Sequence, residues 1–92
     1  GGNLTSALAD FDQAIRIAPD LTVAYVGKGA ILARLNRPDE AIAACTQAIV
    51  RDGKNAKAYF NRGIARELKK DTAGAAQDFL KASQLDPRLK AR

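Results

Sequence analysis

Cys45 is the single cysteine of a chain that has no histidine, and these two facts together remove most enzyme chemistry. A lone thiol cannot form an internal disulfide. Without histidine the usual general base is missing, and so is any Cys-His or Ser-His pair. A structural zinc site cannot be assembled from one such ligand. Carboxylates or lysines could still act as acids and bases. No catalytic residue, metal ligand or cofactor site is assigned, however, and a non-catalytic protein is expected. Cys45 itself reads as a small buried hydrophobe, because a reactive thiol needs exposure and a lowered pKa.

The remaining chemistry is charge. The net charge is +5 and it is uneven. Residues 1–27 carry Asp10, Asp12 and Asp20 against Arg16, whereas residues 51–92 carry eleven lysines and arginines against five acidic side chains. This is either a solvated basic surface or a docking face for an acidic partner. Arg62, Arg66, Lys69 and Lys70 could bind phosphate. With only two tyrosines and three phenylalanines, a stacking platform for bases is hard to build, and no nucleic-acid partner is expected.

Helices must position these residues. Ala7, Ala41 and Ala75 lie 34 residues apart, and so do Ala14, Ala48 and Ala82. The same spacing relates Phe11 through Cys45 to Phe79, Tyr25 to Tyr59, Gly29 to Gly63, and Pro19 through Gly53 to Pro87. A fixed period of this length is the mark of a stacked repeat array, in which each unit buries its apolar face on its neighbour. Apolar residues at helical spacing give five helices, over about 4–17, 22–35, 38–51, 56–69 and 71–85. Thr5 or Ser6 is expected to cap the first and Thr22 the second. Pro38 suits the first turn of the third. Pro19 and Pro87 stop helices, and Gly53 is free to take a positive φ in the turn between the third and fourth. No strand alternation competes, and the short loops make neighbouring helices antiparallel.

Taken together these residues resemble the tetratricopeptide repeat. The resemblance covers essentially the whole chain and is carried by Tyr25, Gly29, Ala41, Cys45, Ala48 and Gly53, then by Tyr59, Gly63, Ala75, Phe79, Ala82 and Pro87. The run Tyr59-Phe60-Asn61-Arg62-Gly63 is especially similar. The resemblance implies an all-α fold, a right-handed superhelical stack of antiparallel helix pairs. One domain over residues 1–92 would comprise a half repeat (1–21) and two full repeats (22–55 and 56–89). Two departures stand out. Cys45 replaces the phenylalanine of the other units, so looser packing is expected there. Arg66 stands where a large apolar residue is common, and its guanidinium is expected to snorkel outward.

In this family the first helix of each pair lines a concave surface that binds peptides or partner helices. The resemblance therefore implies a protein-protein interaction scaffold. Its binding strip would hold Val23, Val26, Gly27, Ala30, Ala33 and Arg34 on the second helix, and Lys57, Phe60, Asn61, Ile64, Glu67 and Leu68 on the fourth. Small residues such as Gly27 and Ala30 would leave room for a ligand side chain. Chaperone-binding members clamp a terminal carboxylate with lysine, asparagine and arginine on successive first helices. Asn61 fits one such register and Lys57 the other, but Val26 and Ala30 stand where lysine and asparagine would be required. A complete clamp is not expected.

The alternative is a structural segment of a longer solenoid, or a module that self-associates. The first unit lacks its first helix and no capping helix follows the last, as in an excerpt of a longer array. The apolar stripe Leu8, Phe11 and Ile15 would then be half covered, and a homodimer through uncapped terminal helices is expected. No apolar run approaches the roughly 18–20 residues needed to cross a bilayer. The start Gly1-Gly2-Asn3 shows no signal-peptide pattern, and a cytoplasmic location is favoured.

Overall fold

The computed structural model describes residues 3–89. Five helices follow one another: α1 (Leu4–Ile17), α2 (Thr22–Arg34), α3 (Pro38–Arg51), α4 (Ala56–Leu68) and α5 (Thr72–Leu85). Among the described residues there is no strand. Each helix packs on the next, and α2 also packs on α4. The helices α2 and α4 thus form one side of the stack, while α1, α3 and α5 form the other.

The helix ends follow two rules that alternate along the chain. The helices α2 and α4 end in a left-handed residue, Asn36 (φ 59°) and Lys70 (φ 64°). In each case two crossed backbone bonds close the end. The Arg37 N–H donates to the Leu32 carbonyl and the Asn36 N–H to that of Ala33, and Asp71 and Lys70 do the same toward Arg66 and Glu67. This pattern satisfies carbonyls that the helix leaves orphaned. By contrast, α3 and α5 end in the extended residues Asp52 and Asp86, and α1 ends at Ala18 before Pro19. A residue before proline is held out of the helical region. Gly53 has no positive φ, so the expected left-handed glycine turn is not formed; the extended Asp52 turns the chain instead.

The N-terminal caps also differ from expectation. Asn3 accepts from the Ser6 N–H, so Thr5 and Ser6 lie within α1. Thr22 lies within α2, whose cap Leu21 supplies no side-chain bond. Asn55 and Asp71 cap α4 and α5 through the N–H groups of Ala58 and Gly74.

Alanine dominates the interior. Leu32, Ala33, Ala41, Ala44 and Ala65 form one buried cluster, with Leu8, Ile42 and Ile64 packed on it. Val26, Ala48 and Ala58 form a second, with Tyr25 and Ile49. Leu32 and Cys45 are the largest side chains fully buried, so little hydrophobic free energy comes from any one residue. Close approach of backbones compensates. A Cβ placed on Gly29 would lie 2.4 Å from the Cys45 sulfur, and one on Gly63 would lie 2.7 Å from the Phe79 ring. The thiol therefore does not leave a gap; α2 closes onto it.

Arg66 does not snorkel outward. It turns inward onto Asp78, which is 3% exposed. Arg66 Nη1 donates to Asp78 Oδ2 at 2.9 Å. Arg62 donates to the same carboxylate through Nε at 3.0 Å and Nη2 at 2.9 Å, and to Thr46 Oγ1 at 3.3 Å. The buried anion joins α5 to α4, and Arg62 extends the link to α3. Hydrogen bonding to Asp78 holds the Arg62 guanidinium above its ordinary pKa.

Two outcomes are expected from this packing. Gly63→Leu should lower stability by about 1–3 kcal/mol through overpacking against Phe79, whereas Gly53→Ala, whose φ suits any residue, should raise it by about 0.4–1 kcal/mol. Urea unfolding of both variants beside the parent checks the pair. Asp78→Ala leaves two guanidinium groups in a half-buried site without their anion. It should cost about 3 kcal/mol, read as a lowered urea midpoint.

Candidate functional site

A groove of about 260 Å³ lies between α2 and α4. Ala30, Ala33 and Arg34 line it from α2, and Asn61, Ile64 and Leu68 from α4. Helical periodicity makes these sets. Residues three and four apart share a face, so 30, 33 and 34 look across at 61, 64 and 68. The two alanines keep the α2 wall low, and Ile64 with the partly exposed Leu68 supplies an aliphatic floor.

Two polar groups edge this apolar surface, and neither is engaged. Among the described residues, Arg34 has no ion pair and the Asn61 carboxamide has no hydrogen-bond partner. The groove can therefore seat an aliphatic side chain, hydrogen-bond a polar main chain through Asn61 and attract a carboxylate through Arg34.

Of the residues singled out from sequence, Ala30, Ala33, Arg34, Asn61, Ile64 and Leu68 are brought together here. Others are placed elsewhere, for steric reasons. Val26 is packed against Ala48 and Ala58. Gly27 offers no room for a ligand side chain: a Cβ there would lie 2.3 Å from the Phe11 ring, so this glycine serves the contact of α1 with α2. Phe60 is tilted against Phe79 with ring centroids 5.3 Å apart. Glu67 lines a different hollow, about 440 Å³, with Lys70, Thr72, Ala75, Ala76 and Phe79. Val23 and Lys57 are exposed nearer the N-terminal ends of the two helices, outside the groove lining.

The basic cluster considered for phosphate is largely spent internally. Arg62 and Arg66 hold Asp78, and Lys69 pairs with Asp39. A further hollow of about 240 Å³, which the sequence reading missed, lies between α2 and α3 beside Tyr25, Lys28, Glu40 and Gln47. Its polar groups are engaged. Lys28 pairs with Asp12 at 2.7 Å, Glu40 with Arg37, and Gln47 with Arg51. Tyr25 donates to the Pro19 carbonyl beneath the Arg51 guanidinium.

Cys45 is fully buried, and burial pushes its thiol up to about 12. It therefore remains a neutral thiol at neutral pH. Among the described residues, no three His, Cys, Asp or Glu side chains converge as a metal site. No helix of the described residues is long and apolar enough to cross a membrane.

The geometry has close counterparts. DnaJ protein P58IPK homolog B of Oryza sativa subsp. japonica is 38% identical over 90 residues, which is 94% of this chain and 19% of that protein. The chain thus spans about a fifth of the length of such relatives. The Arabidopsis OM64 TPR domain superposes with a TM-score of 0.90 at 33% identity, covering 92% of this chain and 70% of that one. The second TPR of Spaghetti (RPAP3), solved bound to the HSP90 peptide SRMEEVD, superposes at 0.89 with 27% identity, covering 92% and 79%. The sequence profile described as tetratricopeptide repeat matches residues 26–89, more than half of the chain. Because this match coincides with the 34-residue period and with the paired helices, the chain belongs to the tetratricopeptide repeat family.

Proposed function

We propose that the chain is a non-catalytic scaffold module that holds a short segment of a partner protein in the groove between α2 and α4. One observation carries this reading. Among the described residues, the unpartnered Asn61 carboxamide and Arg34 guanidinium flank an open aliphatic surface, whereas Lys28, the cation beside the hollow between α2 and α3, is paired with Asp12. The likeness to a TPR solved with an acidic peptide supports a peptide as the occupant. The net charge of +5 favours an acidic one.

The peptide SRMEEVD is a suitable probe. Titrated into labelled protein, it should move the backbone resonances of Ala30, Arg34, Asn61 and Ile64. Changing Arg34 and Asn61 together to alanine should raise Kd about tenfold, worth about 1.4 kcal/mol, with helicity unchanged by circular dichroism. Shifts confined to α3 and α5 would remove the groove from consideration.

A second reading, self-association, rests on a different observation. Ile17, Leu21 and Val23 are 73%, 42% and 64% exposed along the α1–α2 turn. Covering each such side chain is worth up to about 1.5–3 kcal/mol. Sedimentation equilibrium should then show mass rising with concentration, and Ile17→Ser should reduce the rise. A monomer mass at millimolar concentration would dismiss this second reading alone.

A further inference from the structure

We infer that the groove reads an internal segment of an acidic polypeptide, an aliphatic residue and an acidic residue two positions apart, and does not read a free terminal carboxylate. This rests on the groove assignment above and specifies its ligand.

The donor inventory is the first ground. A chain terminus presents two anionic oxygens, and holding it takes several convergent cations or N–H donors. The groove offers one cation, Arg34, and one amide, Asn61. Ala30, Ala33, Ile64 and Leu68 have no side-chain donors at all. Among the described residues no other cation lines it. Lys57 stands one helical turn before Asn61, outside the lining. Arg62 and Arg66 belong to Asp78 on another face of α4, and Lys28 belongs to Asp12.

The chemistry of Asn61 is the second ground. A carboxamide carries a donor and an acceptor side by side. That pair complements a peptide unit, which offers one carbonyl and one N–H. Against a carboxylate only the NH₂ half would be used, and the oxygen would be left facing an anion. Asn61 is unpartnered among the described residues, so both halves are available to a passing main chain.

Spacing is the third ground. In an extended segment, alternate side chains point the same way and lie about 6.6 Å apart. Ala30 and Arg34 are one helical turn apart, about 5.4–6 Å. An aliphatic side chain seated on Ala30, Ile64 and Leu68 therefore brings the side chain two residues along to Arg34, where a carboxylate can pair with the guanidinium.

The test compares blocked and free peptides by NMR titration. The probe is acetyl-SGLSESG-amide, with three companions: the free acid, a Leu-to-Ala peptide and a Glu-to-Gln peptide. The blocked probe should perturb Ala30, Arg34, Asn61 and Ile64, and its Kd should lie within threefold of the free acid's. The Leu-to-Ala peptide should not saturate. The Glu-to-Gln peptide should bind the parent protein about three- to tenfold more weakly, and this loss should vanish in Arg34→Gln. If the free acid binds at least tenfold tighter while perturbing the same residues, the groove stands and the internal-segment inference falls. If neither peptide perturbs those residues at millimolar concentration, the groove assignment falls and the inference with it.

Discussion

The structure depends on a missing carbon atom at Gly29 and Gly63. At each, a Cβ would collide with the facing helix, with the Cys45 sulfur in one pair and the Phe79 ring in the other. The absence of that atom lets α2 settle on α3 and α4 on α5 at backbone-to-side-chain contact. Alanines at Ala41, Ala48, Ala75 and Ala82 extend the contact along the helices. An interior so poor in large side chains can only be stable if van der Waals contact is dense. The close pairing also shapes the exposed surface. With their small faces committed to α3 and α5, α2 and α4 lie side by side and turn their remaining faces into a common groove.

The two pairs solve one packing problem with different chemistry. Adding 34 to Leu32 and Ala44 gives Arg66 and Asp78, and adding 34 to Asp12 and Lys28 gives Thr46 and Arg62. Where the α2–α3 pair buries Leu32 near Ala44, the α4–α5 pair buries an ion cluster. A buried ion pair is seldom a net gain over apolar packing, because desolvation offsets the Coulomb attraction, but its directionality is strict. Here one anion receives three hydrogen bonds from two guanidinium groups, and Arg62 reaches a third helix through Thr46. The second pair is thereby fixed in register as well as in distance.

The period made the fold legible, because Tyr25 with Tyr59 and Gly29 with Gly63 recur where a stack needs them. It did not say which neighbour each small residue faces. Gly27 and Gly29 are two residues apart, yet one meets α1 and the other α3, and only the second pairing follows from the repeat. Phe60 and Glu67 fell out of the groove for the same reason. Each is one residue from a groove position, and one residue is about 100° of helix. Arg66 was misread because its partner lies on another helix. A signal existed, since Arg66 and Asp78 depart together from Leu32 and Ala44 one period earlier. The left-handed ends were hidden differently. Asn36 and Lys70 share one register position, but lysine carries no mark of a positive φ.

The ion cluster and the groove are linked through adjacent residues of α4. Arg62 is held at two points by Asp78, so α4 cannot rotate about its axis without breaking hydrogen bonds of good geometry. Asn61 precedes Arg62 and faces the other way, into the groove. The place of its backbone on α4 is therefore set by the buried network. If the groove takes a ligand, a helix already fixed in rotation loses less entropy on association than one that must be ordered. The apparent extravagance of burying charge in a thin alanine core thus has a physical consequence at the surface, where it fixes the rotation of the helix that presents Asn61 and Ile64.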